Sequence, residues 1–381
     1  MLLEKHIQIT IFRIDNTHFE PIGDLSQYTS LIWPDVFNGY ANFELWAPIM
    51  DANSELIKKG NVIWCGGENA GIIEIVKSQV DEKGEKTYHV KGRTLEKLLC
   101  DRIVWGGYVK SGKASTIMYD IVNTQCINPS NTNRKIPYLV NATDAQVGNT
   151  ISKYQKTGGE VYDALTNLAS ESDIGFSIIF DPHNQQLIFE VRAGEDRTWG
   201  NTSGNDPVVF STDLEDILSS IYYSNAEDYK SVAFVQGEDS GAARKSVTVG
   251  TVNGVGLDRH ELYVDARDLQ SEVYHEDGTN TPLTEAEYLA TLRQRGNEKL
   301  AEHEVTETFD AQIRQFGDVQ YEFGVDYVKG DKVTVIDRQL MIQVSARITS
   351  VEEDFSDEYS LVLTFGYSYP TILQKVKRAT S

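Results

Sequence analysis

Short runs in which polar and apolar residues strictly alternate recur at both ends of this chain, and they limit its fold more than any other feature. Successive side chains of a strand point to opposite faces. His6-Ile7-Gln8-Ile9-Thr10-Ile11 and Asn42-Phe43-Glu44-Leu45-Trp46-Ala47 therefore each read as a strand with one buried face. Asn61 to Cys65, Gly71 to Val80 and Glu85 to Val90 continue the pattern, and Asp81-Glu82-Lys83-Gly84 closes the last two into a hairpin. Such a succession predicts a compact barrel or curled sheet. At Gly92 to Val104 the period changes: Leu95, Leu98, Leu99 and Ile103 share a helical face, Lys97 and Asp101 stand four apart, and Gly92 would supply the strand-to-helix turn. The predicted first unit, residues 1–107, is a β-barrel with a short packing helix.

From residue 108 helices alternate with strands. Ser115 is read as the cap of a helix carrying Ile117, Ile121 and Val122 on one side. Asn128 to Gln146 reads as an irregular connection, and Gly159 to Ser172 as a helix with Val161, Leu165, Leu168 and Ala169 on one stripe. Phe176 to Asp181 and Gln186 to Arg192 form a hairpin about Pro182-His183-Asn184-Gln185. Residues 108–206, ending in the polar loop Glu195 to Asp206, are thus predicted to be an α+β domain.

The third region, 207–381, holds predicted strands at Ser231 to Gln236, Lys245 to Gly250, Glu261 to Val264, Thr306 to Ile313, Lys332 to Ile336, Met341 to Val351 and Glu358 to Phe365. It reads as a second β-barrel. A capping box, Thr284-Glu285-Ala286-Glu287, opens a helix with Leu289, Leu292 and Leu300 on one face, so residues 268–304 are expected to be a helical insertion. The fold class is α+β, predominantly β: two β-barrel-like domains around an α+β domain. No exact internal repeat is visible, although two strand-rich regions flanking an α+β piece suggest a similar unit used twice.

At 381 residues the chain is long enough for two or three such units. No run of ~20 apolar residues appears, and Met1-Leu2-Leu3-Glu4-Lys5-His6 lacks an apolar signal core, which predicts a protein that begins in a cytosol with no membrane association. Acidic residues outnumber basic ones 57 to 35, for a formal charge of -22. Phosphates and anionic lipid would be repelled, which argues against sequence-specific nucleic-acid binding.

The chemistry-bearing residue types do not gather. Cys65, Cys100 and Cys126 are too widely spaced for a zinc knuckle or a disulfide framework and read as buried free thiols. The 7 histidines form no His-Glu-x-x-His, and there is no Gly-x-Ser-x-Gly. Gly66-Gly67-Glu68-Asn69-Ala70-Gly71 lacks the Lys-Ser/Thr of a phosphate loop and reads as a hairpin turn, and His275-Glu276-Asp277-Gly278-Thr279-Asn280 lacks the ligand alternation of a calcium loop and reads as a solvated turn. Trp33, Trp46, Trp64 and Trp105 read as core, whereas Trp199, in a polar loop beside Arg197, reads as an interface residue. No catalytic, metal-ligating or cofactor-binding residue is assigned, and the chain is expected not to be an enzyme.

Four segments carry a resemblance. Val90-Lys91-Gly92-Arg93-Thr94-Leu95-Glu96-Lys97-Leu98-Leu99-Cys100-Asp101-Arg102-Ile103-Val104, Gly194-Glu195-Asp196-Arg197-Thr198, Val208-Val209-Phe210-Ser211 and Gly324-Val325-Asp326-Tyr327-Val328-Lys329-Gly330-Asp331-Lys332-Val333-Thr334-Val335 stand in this order. Together they resemble the Gp37-like siphovirus tail protein family, related to phage baseplate hub and tail-tip proteins. The resemblance implies a virion structural protein of a tail tip or baseplate, assembled in the bacterial host cytoplasm and forming a homotrimer below the tail tube. Its neighbours would be the tail tube or distal tail protein, the tape measure protein and spike or fibre proteins. It also implies a local turn at Gly330-Asp331 before the next strand. The particle would be an infectious siphovirus, a prophage or a tail-like bacteriocin. A receptor- or carbohydrate-binding module of the tail tip is the alternative reading, and a tail-associated wall hydrolase a third.

Overall fold

In a computed structural model, the structure describes residues 7–25, 27–50, 56–238, 244–274, 279–314, 319–356 and 359–366. The first strand-rich region supplies β1 (Ile9–Ile14), β2 (Phe19–Leu25), β3 (Ser30–Val36), β4 (Asn42–Pro48), β5 (Val62–Trp64), β6 (Ala70–Val80) and β7 (Lys86–Thr94). The middle region holds β8 (Gly107–Lys113), α1 (Ala114–Val122), β9 (Leu139–Asn141), β10 (Thr150–Thr157), α2 (Val161–Ser172), β11 (Gly175–Asp181) and β12 (Gln186–Arg192). The third opens with β13 (Val209–Ser211) and β14 (Ile217–Asn225), followed by β15 (Val232–Gln236), β16 (Ser246–Gly250), β17 (Glu261–Asp265), β18 (Glu272–Tyr274), β19 (Asn280–Pro282) and α3 (Glu285–Ala301). It ends with β20 (Thr306–Ile313), β21 (Lys332–Asp337), β22 (Ile342–Phe355) and β23 (Tyr359–Gly366).

The two outer strand sets, expected as separate barrels, are hydrogen-bonded into one 13-stranded sheet in the order β14-β20-β23-β22-β3-β4-β7-β6-β5-β1-β2, with β21 and β13 branching from β22. No backbone pairing among the described residues closes either set on itself. The joint is β22 against β3, antiparallel, with Ser350 opposite Val36 and Asp354 opposite Ile32. One buried cluster spans it, drawing Leu31, Trp33, Phe43 and Leu45 from one side and Phe309, Ile348, Leu361 and Phe365 from the other.

The similar unit used twice is present. β3-β4-β7-β6 and β14-β20-β23-β22 have the same strand order and the same antiparallel pairings. Both bulge at matching places, between Ile73 and Ile75 and between Ile348 and Ser350. Counting from the bulges, the row Ile32, Glu44, Lys91, Ile75 matches the row Ile221, Asp310, Thr364, Ser350. A fifth strand also corresponds, β5 on β6 and β21 on β22, whereas β1 lies antiparallel to β5 and β13 parallel to β21. Sequence comparison within the chain misses this repeat because it conserves pairing and burial, and residue identity hardly at all.

Three further differences from the sequence reading have local causes. Gly92 is not a strand-to-helix turn. It lies inside β7, which runs on to Thr94, and the helical stretch Leu95–Asp101 is a 3-10 helix. Ser115 is not a cap: Lys113 takes that position, and the Ser115 hydroxyl donates to Asp144 Oδ1 at 2.7 Å. β15, β16 and β17, expected in the second barrel, form their own sheet under α3, with Ala233, Val235, Val247 and Val249 packed on Tyr288 and Leu292. The insertion therefore extends from after β14 to before β20, where the first unit has only the short connection between β3 and β4. The α3 capping box at Thr284 and Glu287 is formed as expected.

The middle region packs β11, β12 and β9 as one sheet, with α1 and α2 alongside. The stretch read as an irregular connection contains β9, which pairs parallel with β12. The same buried cluster reaches into the first unit, where the Phe19 ring stacks on Phe180 at 5.3 Å.

Candidate assembly surfaces

The four segments behind the family resemblance turn out to be joints. Asp331 is 1% exposed, and its carboxylate accepts from the Glu195 amide at 2.9 Å, the Val328 amide at 3.1 Å and Arg197 Nε at 3.1 Å. Lys332 N donates to the Glu195 carbonyl and Arg197 N to the Lys332 carbonyl, while Val209–Ser211 pairs with β21. Gly194 adopts φ +68°, and a Cβ there would lie 1.9 Å from the Gly330 carbonyl oxygen. Gly330, at φ +96°, makes the expected turn before β21. Arg347, 5% exposed, crosses the same corner to Asp173 Oδ2 at 2.7 Å, the Ala193 carbonyl and the Gly330 carbonyl.

The segment after β7 makes a second joint. Glu96 Oε1 accepts from the Ile178 amide at 2.8 Å, and Glu96 lines a small hollow together with Trp33 and the Lys329–Asp35 ion pair at 2.6 Å. Burial pushes the Glu96 carboxyl up from its ordinary range. Parts of all three regions meet here.

α3 docks on the middle region through polar groups. Lys153 reaches Glu287 at 2.9 Å, Gln294 donates to Glu171, and Glu298 is 4% exposed beside Arg295 and Lys156. Burial first, and then the Glu298 charge, push the Glu171 carboxyl up to about 7. The folded state then binds a proton that the unfolded chain releases near 4.5. Stability from this site is full below that value and is lost as pH rises towards 7. Glu171→Gln keeps an acceptor for Gln294 and should flatten that loss, a difference of the order of 2 kcal/mol between pH 5 and pH 8 in urea unfolding. An unchanged pH slope in the variant would contradict this assignment.

Among the described residues no group of three or more His, Cys, Asp or Glu is placed to hold a metal. Cys126 is buried and Cys65 and Cys100 are half-buried, all three as free thiols, and burial pushes the Cys100 and Cys126 thiols up to about 12. Gly66 and Gly67 make the tight β5–β6 hairpin expected of them. His275 to Gly278 of the solvated turn lie outside the described residues. Trp33 is buried and stacks on Phe43 at 5.1 Å, but Trp105, expected in the core, is 51% exposed under the Arg134 guanidinium. Trp199 is 76% exposed.

Among the described residues the repeated units leave two edges without a strand against them. There β14 pairs with β20 alone among the described residues, and of its residues Leu218, Ile221, Tyr222 and Tyr223 are exposed. β6 pairs with β5 only from Ala70 to Ile72, so Ile75 to Val80 have β7 on one side and nothing described on the other. The far end of the sheet is different: β2 carries Pro21, Glu20, Asp24 and a bulge, devices that keep an edge from pairing.

This architecture is shared with solved phage tail proteins. The tail protein from Neisseria meningitidis MC58 is 15% identical, with a TM-score of 0.54 over 95% of this chain and 97% of that one. The 43 kDa tail protein of prophage MuSo2 from Shewanella oneidensis is 15% identical, with a TM-score of 0.55 over 94% and 98%. Prophage tail protein gp18 from Listeria monocytogenes EGD-e is 11% identical, with a TM-score of 0.54 over 98% and 100%. At these identities the likeness establishes the fold class, that of phage tail proteins. Residues 10–367 match the model of the siphovirus ReqiPepy6 Gp37-like protein family, and the chain belongs to that family. No curated protein matches it. Among the described residues no helix is long and apolar enough to cross a membrane.

Proposed function

We propose that this protein is a structural component of the virion's distal tail, a baseplate hub or tail-tip subunit. Three copies form a ring joining the tail tube to the tip or spike. The observation that carries this reading is the doubled sheet unit. One chain presents two equivalent four-strand units joined edge to edge, so three chains present six, the number a sixfold tube would meet. The tube or distal tail protein, the tape measure protein and spike or fibre proteins are the neighbours such a ring would contact. The role is scaffolding: the buried polar groups of the family segments, Asp331 and Glu96 among them, tie distant chain segments together.

The face of the sheet away from the core is acidic in the second unit, with Asp310, Glu352 and Asp354 by register, whereas in the first unit Glu44 on that face is paired with Lys91. Burial, then the charges of Asp354 and Asp310, raise the Glu352 carboxyl. With this face turned inward the second units would offer DNA an acidic surface it does not adhere to, because like charges repel phosphate. Light scattering of the purified chain is expected to give three times 42.7 kDa. A monomer at tens of micromolar would overturn the ring.

A further inference from the structure

We infer that the ring closes by backbone pairing of β14 in one copy with the second half of β6 in the next, in a single antiparallel register. This rests on the ring reading above and adds the partner surface and its alignment. The chain itself contains the template. Its two sheet units meet where the second half of β22 lies along β3, over Ser350 to Asp354 and Ile32 to Val36. The matched bulges make β6 the counterpart of β22, and the paired rows make β14 the counterpart of β3.

The β22–β3 joint is thus used once inside each chain, and both of its halves occur a second time with no strand described against them. Equivalent units joined by equivalent contacts either close a ring or extend without limit, and a second copy of this chain is the occupant that continues the same joint.

Transferring the register residue by residue sets Ile75 opposite Asn225, Ser78 opposite Tyr222 and Gln79 opposite Ile221. These match the internal pairs of Ser350 with Val36, Glu353 with Trp33 and Asp354 with Ile32. Tyr222 would then approach the next copy's core as Trp33 does within the chain.

Three features agree with the assignment. The β14 edge is uncharged, and from Ile75 to Gln79 the β6 edge carries only Lys77. Neither contains proline, whereas the β2 edge is guarded. The apolar residues Ile75, at 56% exposed, and Ile221, at 66%, are covered by the pairing.

The test is a Ser78→Cys/Tyr222→Cys double variant of the full chain under mild oxidation. Facing residues on paired strands lie within disulfide reach, whereas a pair two residues out of register does not. Covalent trimers on a non-reducing gel are expected, at least tenfold more than from either single variant or from the shifted pair Ser78→Cys/Ser224→Cys. A second arm uses exposed edge positions. Gln79→Asp/Ile221→Asp should lower the trimer fraction at least tenfold with an unchanged circular dichroism spectrum, and Gln79→Lys/Ile221→Asp should restore it.

Trimers by light scattering without cross-linking at Ser78 and Tyr222 would overturn the edge pairing and leave the ring. Covalent species that stop at two chains would also overturn it. Absence of a three-chain species would remove both.

Discussion

Gly92→Ala is expected to destabilise the protein by about 3 kcal/mol or to prevent its folding, since overpacking a closed core forces backbone and rotamer shifts together. A Cβ at Gly92 would overlap the Ile72 carbonyl oxygen and stand 2.5 Å from Phe43 Cζ. Phe43 has nowhere to retreat. It is fully buried, stacks on Trp33, and lies 2.6 Å from where a Cβ on Gly71 would be. The second unit fills the matching space differently, with Phe365 in the place of Gly92 and Phe309 in the place of Phe43. Urea unfolding checks the expectation. A loss below about 1 kcal/mol would mean that the strand yields. Pairing Gly92→Ala with Phe43→Leu should recover part of the loss.

Asp331→Ala should cost about 3 to 5 kcal/mol, the range for breaking a buried pair from one side. The carboxylate is the common acceptor for two backbone amides and the Arg197 guanidinium, in a corner that excludes water. Removing it orphans all three donors, while Gly194 and Gly330, in close contact, leave little room for relaxation. Asp331→Asn should lose a comparable amount, because its amide nitrogen would face a donor. Chemical unfolding of both variants is the measurement, and an alanine variant within 1 kcal/mol of the parent would remove Asp331 from this role.

Much of the local structure was readable beforehand. Strands with one wet and one dry face announce themselves, and β4, β6, β11 and β12 begin or end within a residue of where alternation put them. β14 was missed for the opposite reason. Leu218, Ile221, Tyr222 and Tyr223 fall on both faces, so no alternation marks a strand. β3 was hidden by Pro34, tolerated where the strand meets β22. The family segments could be recognised but not interpreted, because Glu195 and Asp331 stand 136 residues apart. Gly92 looked like a turn because glycine marks turns more often than close approaches of a ring.

Sequence alone determined the predominance of β structure, the capped α3, the α+β middle and the absence of a recognisable catalytic motif. Each of these is set by neighbours along the chain, through period, capping and turn chemistry. Only the tertiary structure decided that the two strand sets are one sheet, that they repeat one unit, and that β14 and the second half of β6 have one strand neighbour each among the described residues. Strand pairing is made between backbones far apart in sequence, and a backbone hydrogen bond leaves no mark on the identity of the side chains beside it.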